Sequence, residues 1–309
     1  MRLSDYQTVL ITGGAGFIGS HIAEGLLAKG HNVHIFDNLS TGKIENLSLI
    51  KDKVKLIQGD IRDLKAVTKA CDGTDCIIHH AAQISVQKSI GNPKETSDID
   101  ALGTLNILQA AKSNKTKKII YASSSAVYGD TDNVPTKEDV QLKPLSPYGF
   151  SKAIGEYYCQ VFSYLFNINI IIFRYFNVFG ARQDPNSEYS GVIAKFTNMA
   201  KKNENICICG DGMQTRDFVS VSKIKEANLL AVDKEFQGCK ILNVGSGHDI
   251  TIKELADRII KIYKSKSNIN YGRKREGDIQ RSCADIDNIK ANLSWDEKFN
   301  LEQELMTIS

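Results

Sequence analysis

In the stretch 146–158, SPYGFSKAIGEYY, Tyr148 and Lys152 stand four residues apart, so a helix sets a phenol and an ammonium on one face, one turn from each other. A phenol acts as a base near neutrality only if its pKa falls from about 10, and each unit requires roughly 1.4 kcal/mol of preference for phenolate. A neighbouring ammonium supplies part of that preference. Taken alone, the pair reads more readily as two surface side chains on a helix. Upstream, YASSSAVYGD places Ser123, Ser124 and Ser125 at the end of an apolar run. At the carboxyl end of a parallel strand, where open α/β sheets bind ligands, a serine hydroxyl can bond a substrate hydroxyl and relay its proton.

The N-terminal region gives the pair its context. In VLITGGAGFIGSHIAEGLLAKGHNVHIFDN, Gly13, Gly16 and Gly19 lie between an apolar run and a helical pattern, and Asp37 follows 18 residues beyond Gly19. Such glycines permit a tight turn, close approach of a pyrophosphate and close packing of helix on sheet. The helix N-terminus, with Phe17 and Ile18 in its first turn, offers N–H groups and a positive dipole end to phosphates. Asp37 is placed to accept hydrogen bonds from an adenosine ribose and would repel a 2′-phosphate. The NLSTG after it has no Arg to bind one, which selects NAD over NADP. GDI at 59–61, closing the third strand, reads as an adenine contact or as a strand end and helix cap.

These residues must be held by an alternating framework. TVLIT, NVHIFD, VKLIQGD, CIIHHA, KIIYAS and INIIIFRY are apolar runs bounded by turn residues or charges, as buried parallel strands are. Helical patterns separate them at 17–29, 63–70, 94–113 and 148–166, with Asp63 suited to an N-cap and Pro93 to a first helical position. This alternation predicts an α/β fold, a Rossmann-type doubly wound parallel sheet with helices on both faces. After Tyr175 the pattern loosens through NVFGARQDPNSEYSG into shorter elements, including a capping box at Thr251–Glu254. We read these as a smaller C-terminal α/β lobe, with some later segments returning to the sheet. The expected division is 1–175 and 176–309.

Composition narrows the function classes. A net charge of +3, dispersed along 309 residues, gives no nucleic-acid surface. No apolar run reaches the roughly 18 residues of a membrane span. MRLSDYQTVLITGG has no signal-peptide pattern, because its short apolar run leads straight into the glycine loop. A soluble, cytoplasmic protein is expected. Cys207 and Cys209 in NICICG read as small apolar residues rather than metal ligands, and the six histidines lack ligand spacing, so no metal site is expected.

Taken together, TGGAGFIGS, DNLSTG, HHAAQISV, YASSSAVYG, SPYGFSK, FRYFNVFGARQDP, GDGMQTRDFVSV and REGDIQRSCADI span nearly the whole chain. The combination resembles the extended short-chain dehydrogenase/reductase superfamily, specifically its NAD-dependent nucleotide-sugar 4-epimerases. The resemblance implies an NAD-binding domain followed by a nucleotide-sugar-binding lobe. It makes Tyr148 the catalytic base, Lys152 its partner and a holder of the nicotinamide ribose, and Ser124 the catalytic hydroxyl, with Ser125 sharing substrate contact. Besides Gly13, Gly16, Phe17, Ile18, Gly19 and Asp37, it implies cofactor contacts at Asn38, Ser40, Thr41 and Gly42. Further contacts are implied at Asp60, Ile61, Ala81, Ala82 and Gln83, with Tyr175 near the nicotinamide. On the sugar-diphosphate side it implies Ser85, Asn177, Val192, Arg216, Arg275, Asp278 and Ser282, the two arginines acting as cationic clamps. At Asp100 the family more often has Asn facing the cofactor.

The implied chemistry is C4 epimerisation of a UDP-hexose through a 4-keto sugar. In related dehydratases an acidic pair follows the catalytic Thr; here those positions are Ser125 and Ala126, which argues against elimination. The missing acid at Ala126 also argues against sugar-acid decarboxylation. The fourth position after Asp278 resembles a size gate beside the sugar C2 substituent, and a small Ser282 there favours UDP-N-acetylglucosamine/UDP-N-acetylgalactosamine over UDP-glucose/UDP-galactose, unless Ser282 merely faces solvent. A UDP-glucuronate epimerase, a 4,6-dehydratase and a non-catalytic NAD(H)-binding regulator are the alternatives. The family usually dimerises through a four-helix bundle. Leu105, Leu108, Tyr157, Val161 and Leu165 on the 94–113 and 148–166 helices would supply its seam, or else face the sheet.

Overall fold

Val9–Ile11 and Ile170–Ile172 are apolar at every position because both faces of their sheet are covered, and all six side chains are fully buried. The computed structural model describes residues 7–184, 191–274, 279–296 and 300–308. The six apolar runs form β1 (Thr8–Thr12), β2 (Asn32–Asp37), β3 (Val54–Gln58), β4 (Cys76–His79), β5 (Lys118–Ser124) and β6 (Asn169–Tyr175). The later strands are β7 (Asn177–Phe179), β8 (Ile206–Cys209), β9 (Thr215–Ser220), β10 (Cys239–Val244), β11 (Asp249–Thr251) and β12 (Ile269–Gly272). Seven of these make one parallel sheet in the order β10-β6-β5-β4-β1-β2-β3. The expected Rossmann-type α/β fold is what the chain adopts.

The first six helices are α1 (Phe17–Ala28), α2 (Leu64–Ala70), α3 (Val86–Gly91), α4 (Pro93–Ser97), α5 (Gly103–Ser113) and α6 (Pro147–Phe166). They are followed by α7 (Val192–Lys201), α8 (Val221–Asp233), α9 (Ile252–Ile262), α10 (Asp287–Leu293) and α11 (Leu301–Met306). Ile22 and Leu26 of α1, Ile224 and Ala227 of α8 and Ile289 of α10 share one core with β1 and β2. Val67 of α2, Ile107 and Leu108 of α5 and Cys159 of α6 share another on the opposite face. A third core joins α7, α9 and α11 to the short strands, which form the sheets β11-β9-β7 and β12-β8. The chain leaves the large sheet after β6, builds β7 to β9, and returns through α8 and β10.

Local chemistry sets the helix that carries the reactive pair. Ser146 caps α6 by accepting the Gly149 N–H at 3.1 Å, and Pro147 occupies its first turn, where no N–H is needed. Asp63 caps α2 through the Lys65 and Ala66 N–H groups. The expected helix over 94–113 runs without interruption, but α4 passes through one π-helical turn, Asp98–Leu102, before α5. The extra residue rotates Asp100 inward, where its carboxylate accepts the Gln83 N–H at 2.7 Å and the Ser151 hydroxyl at 3.3 Å.

Candidate active site

Strand order reverses at β1, which lies between β2 and β4, and the crevice above such a reversal is where doubly wound sheets bind ligands. Gly13 turns the chain there at φ +70°, and a Cβ on it would lie 2.8 Å from the Ala81 backbone nitrogen. A Cβ on Gly19 would collide with the Gly13 carbonyl. Gly16 is the N-cap of α1 and contributes no side-chain cap, and the first turn, with Phe17 and Ile18, contains no acid. Its N–H groups are therefore presented to an anion. Asp37 is nearly buried; its carboxylate accepts Ala15 N–H at 2.9 Å and Leu39 N–H at 2.8 Å, which aims it across the glycine loop. A Cβ on Gly42 would lie 2.9 Å from both Asp37 oxygens. This cradle of bare backbone beside a fixed carboxylate fits a dinucleotide.

The remaining predicted cofactor residues line the same rim. Asn38 donates to Asp60 at 3.0 Å and accepts Ser40 N–H at 3.0 Å; Ser40 and Thr41 are exposed. The Arg62 guanidinium grips Asp60 at 2.7 and 2.9 Å and holds its carboxyl well below the usual range. Ile61 is buried, with its side chain where a Cβ on Gly103 would fall. Ala81 donates its N–H to Thr12 at 3.2 Å and Ala82 is half-buried beside it. Gln83 is buried and bonds Ser85 through both amide atoms.

Tyr148 projects from the first turn of α6 into hydrogen-bonding contact with Ser124, and burial pushes its phenol up to about 12, offset by that bond and reinforced by the Asp100 charge. Lys152 is 3% exposed, donates to the Ala122 carbonyl at 2.8 Å, and stands 5.1 Å over the Tyr121 ring. Burial also lowers Lys152, while the Asp100 charge raises it. Ser124 and Ser125 are half-buried at the end of β5, and Ser124 also accepts Ala126 N–H at 3.2 Å. Ser124, Tyr148 and Lys152 are thus brought together; Ser85 is engaged in capping α3 through Lys88 N–H at 3.0 Å.

Two polar groups at the site were not read from the sequence. Tyr175 meets His80 Nε2 at 3.2 Å and accepts the Asn228 amide at 2.8 Å. Burial, with the Lys152 charge, drives the His80 pKa down to about 3, so the imidazole is neutral. His80 has no ligand spacing in the sequence to mark it, and Asn228 sits on α8, far along the chain. The second group is the buried pair Glu156–Arg174. Glu156 lies one turn beyond Lys152 on α6 and accepts from Arg174 at 2.7, 3.0 and 3.2 Å and from the Ser123 hydroxyl at 2.5 Å. Arg174 also donates to Tyr128 and to the Glu138 carbonyl. The two residues adjoin Ser124 and Tyr175 through their strand neighbours. The signal available was the i, i+4, i+8 series Tyr148, Lys152, Glu156 on one helix.

On the sugar side, Arg216 lies on β9, donating to the Thr215 and Ile279 carbonyls at 2.8 and 2.7 Å. Ser282 is half-buried and bonded by its carbonyl to Asp217 N–H at 2.8 Å, which sets it next to Arg216. Asn177 on β7 donates to the Asp217 carbonyl at 2.9 Å, and Val192 opens α7, packed on the third core. Asp217 itself is fully buried and accepts from Ser246 N and Oγ, Gly247 N and Ala284 N. It ties β9 to the segment carrying Ser282. Arg275 and Asp278 lie outside the described residues.

A glycine loop at a switch point, an acid at the end of β2, and a serine, tyrosine and lysine gathered where β5 meets α6 define an NAD-dependent enzyme of the nucleotide-sugar-modifying type. The profile of the NAD dependent epimerase/dehydratase family matches residues 9–245, and the chain belongs to that family. It is 40% identical to a putative UDP-glucose 4-epimerase of Methanocaldococcus jannaschii over 97% of this chain and 96% of that one. Among solved structures, a UDP-N-acetylglucosamine 4-epimerase of Methanobrevibacter ruminantium superposes with a TM-score of 0.92 at 38% identity, covering 97% and 96% of the two chains. A Thermus thermophilus UDP-glucose 4-epimerase bound to NAD gives 0.89 at 34% identity, covering 96% of each. The resemblance to UDP-sugar 4-epimerases, the Rossmann-type fold and the NAD cofactor read from the sequence are borne out.

Proposed function

We propose that this enzyme inverts C4 of a UDP-hexose, with UDP-N-acetylglucosamine and UDP-N-acetylgalactosamine as its favoured pair and UDP-glucose/UDP-galactose as the second. The observation that carries the reaction is the contact of Tyr148 with Ser124 at the carboxyl end of β5. Bound NAD supplies the hydride acceptor and a positive charge beside the phenol. Tyr148, in line with Ser124, takes the proton of the C4 hydroxyl and returns one after the 4-keto sugar has turned in the pocket. Lys152, desolvated and hydrogen-bonded to Ala122, holds the nicotinamide ribose and adds positive charge beside the phenol. Arg216 holds the diphosphate, with Asn177 beside it.

The substrate reading rests on Ser282, held next to Arg216 by the Asp217 bond. A short side chain there leaves room for an acetamido group. The test compares kcat/KM on UDP-N-acetylglucosamine and UDP-glucose in the wild type and in Ser282→Tyr. Preference for the acetylated sugar, lost by at least about tenfold in the variant, is expected. An unchanged ratio overturns the gate.

The enzyme is expected to work as a homodimer. Tyr157, Val161, Tyr164 and Leu165 on α6 are 49–85% exposed, a contiguous apolar strip for the helix bundle. Leu108 is fully buried and belongs to the core instead, and Leu105 is half-buried. Seven free cysteines suit a reducing, cytoplasmic setting, and no described helix is long and apolar enough to cross a membrane.

A further inference from the structure

We propose that the segment 180–184 is a polar clasp that fastens the sugar-binding half of the chain over the pyrophosphate loop and thereby retains NAD between turnovers, with Arg182 and Glu24 as its principal positioning residues. The segment follows β7; Gln183 donates back to the Val178 carbonyl at 3.4 Å, while Ala181, Arg182 and Asp184 reach the dinucleotide-binding half. Arg182 donates to Ser20 Oγ at 3.1 Å and pairs with Glu24. The Ala181 carbonyl meets His21 Nε2 at 3.0 Å. Asp184 pairs with Lys43 at 2.7 Å.

These anchors share one feature. Ser20, His21 and Glu24 occupy the first two turns of α1, the helix whose N-terminus faces the phosphates. Lys43 donates its N–H to Ala15 O at 3.0 Å, inside the glycine loop, and adjoins Gly42, which touches Asp37. The clasp therefore closes on both flanks of the loop that cradles the dinucleotide. Arg182 adopts φ +70°, a backbone region non-glycine residues seldom enter, and its side chain reaches α1 from that conformation. The two ties differ in strength. Arg182 and Glu24 are mostly buried, at 21% and 27% side-chain exposure, whereas Lys43 and Asp184 are at 54% and 38%, so water and salt weaken the second pair. A cofactor restored at the end of each catalytic cycle has no reason to leave, and a tie on the cradle rather than on the sugar serves that economy. The inference rests on NAD as cofactor and not on which sugar is bound.

The test follows NAD release from purified holoprotein with a trap enzyme that reduces freed NAD to NADH, read at its absorbance. Arg182→Gly removes the side chain while relieving the left-handed backbone, and Glu24→Gln removes the charge from the helix side. Both are expected to release NAD at least about tenfold faster, the size of a lost charge-assisted hydrogen bond. The apo proteins are expected to keep their melting temperatures, and Lys94→Ala, which breaks the exposed Lys94–Asp98 pair elsewhere, is expected to release NAD at the wild-type rate. Unchanged release in both variants overturns the clasp. So does faster release accompanied by a matching loss of apo stability, because that marks a purely structural contact.

Discussion

The two halves of this enzyme are built by different means. On the dinucleotide side, Gly13, Gly16, Gly19 and Asp37 all lie within a single strand–helix–strand unit, and the cradle is mostly backbone. On the sugar side, Arg216, Ser282 and Asn177 come from three separate segments drawn together by bonds to the backbone and carboxylate of Asp217. A backbone cradle tolerates side-chain change except where a Cβ would collide; a side-chain cluster depends on the residue that gathers it. Ser124, Tyr148 and Lys152 stand on β5 and α6, and the buried Glu156–Arg174 pair ties α6 to β6 beside them.

The sharpest way to separate chemistry from scaffold is Tyr148→Phe. Turnover is expected to fall by about 10²–10⁴-fold while NAD stays bound, measured as activity against NAD content of the purified protein. Glu156→Gln tests the scaffold that ties α6 to the sheet beneath the site. It leaves Arg174 buried without its charge partner, and a loss of about 3–5 kcal/mol in denaturant unfolding is expected. Equal stability would mean α6 is held to the sheet by other contacts.

A smaller effect separates the halves by pH. His80 has a folded pKa of about 3 against roughly 6.5 when unfolded, so the unfolded chain binds more protons between those values. Stability contributed by the neutral imidazole is therefore full above about pH 6.5 and lost as pH falls toward 3. His80→Phe should make the decline in melting temperature from pH 7 to pH 4 shallower. An unaltered decline would place the acid sensitivity in other groups, such as His79, which burial also lowers. Smallest of all, Lys94→Ala removes an exposed ion pair and should change stability by no more than about 1 kcal/mol.

The same contrast explains what the sequence disclosed. The parallel sheet was legible because its strands are buried on both faces and so are continuous apolar runs, and the glycine loop because its residues are local. The π turn at Asp98–Leu102 within the helix was not legible. The partners it brings to Asp100, Gln83 and Ser151, lie 17 and 51 residues away in the chain. Nor did spacing expose Asn228 behind Tyr175, or Asp217 as the hub of the sugar side, since each acts on residues remote in the chain. Tyr148 and Lys152 were found by their helical spacing, but the electrostatics of the phenol depend on burial, which spacing does not carry.

The central claim is that the chain holds NAD and uses it, through Tyr148, to invert C4. It is tested most directly by incubating purified protein, with no added NAD, with UDP-N-acetylglucosamine and UDP-glucose separately and following the anomeric protons by NMR. Appearance of the C4 epimer of the acetylated sugar is the predicted result. No epimer from either sugar, even after NAD is supplied, would contradict the account.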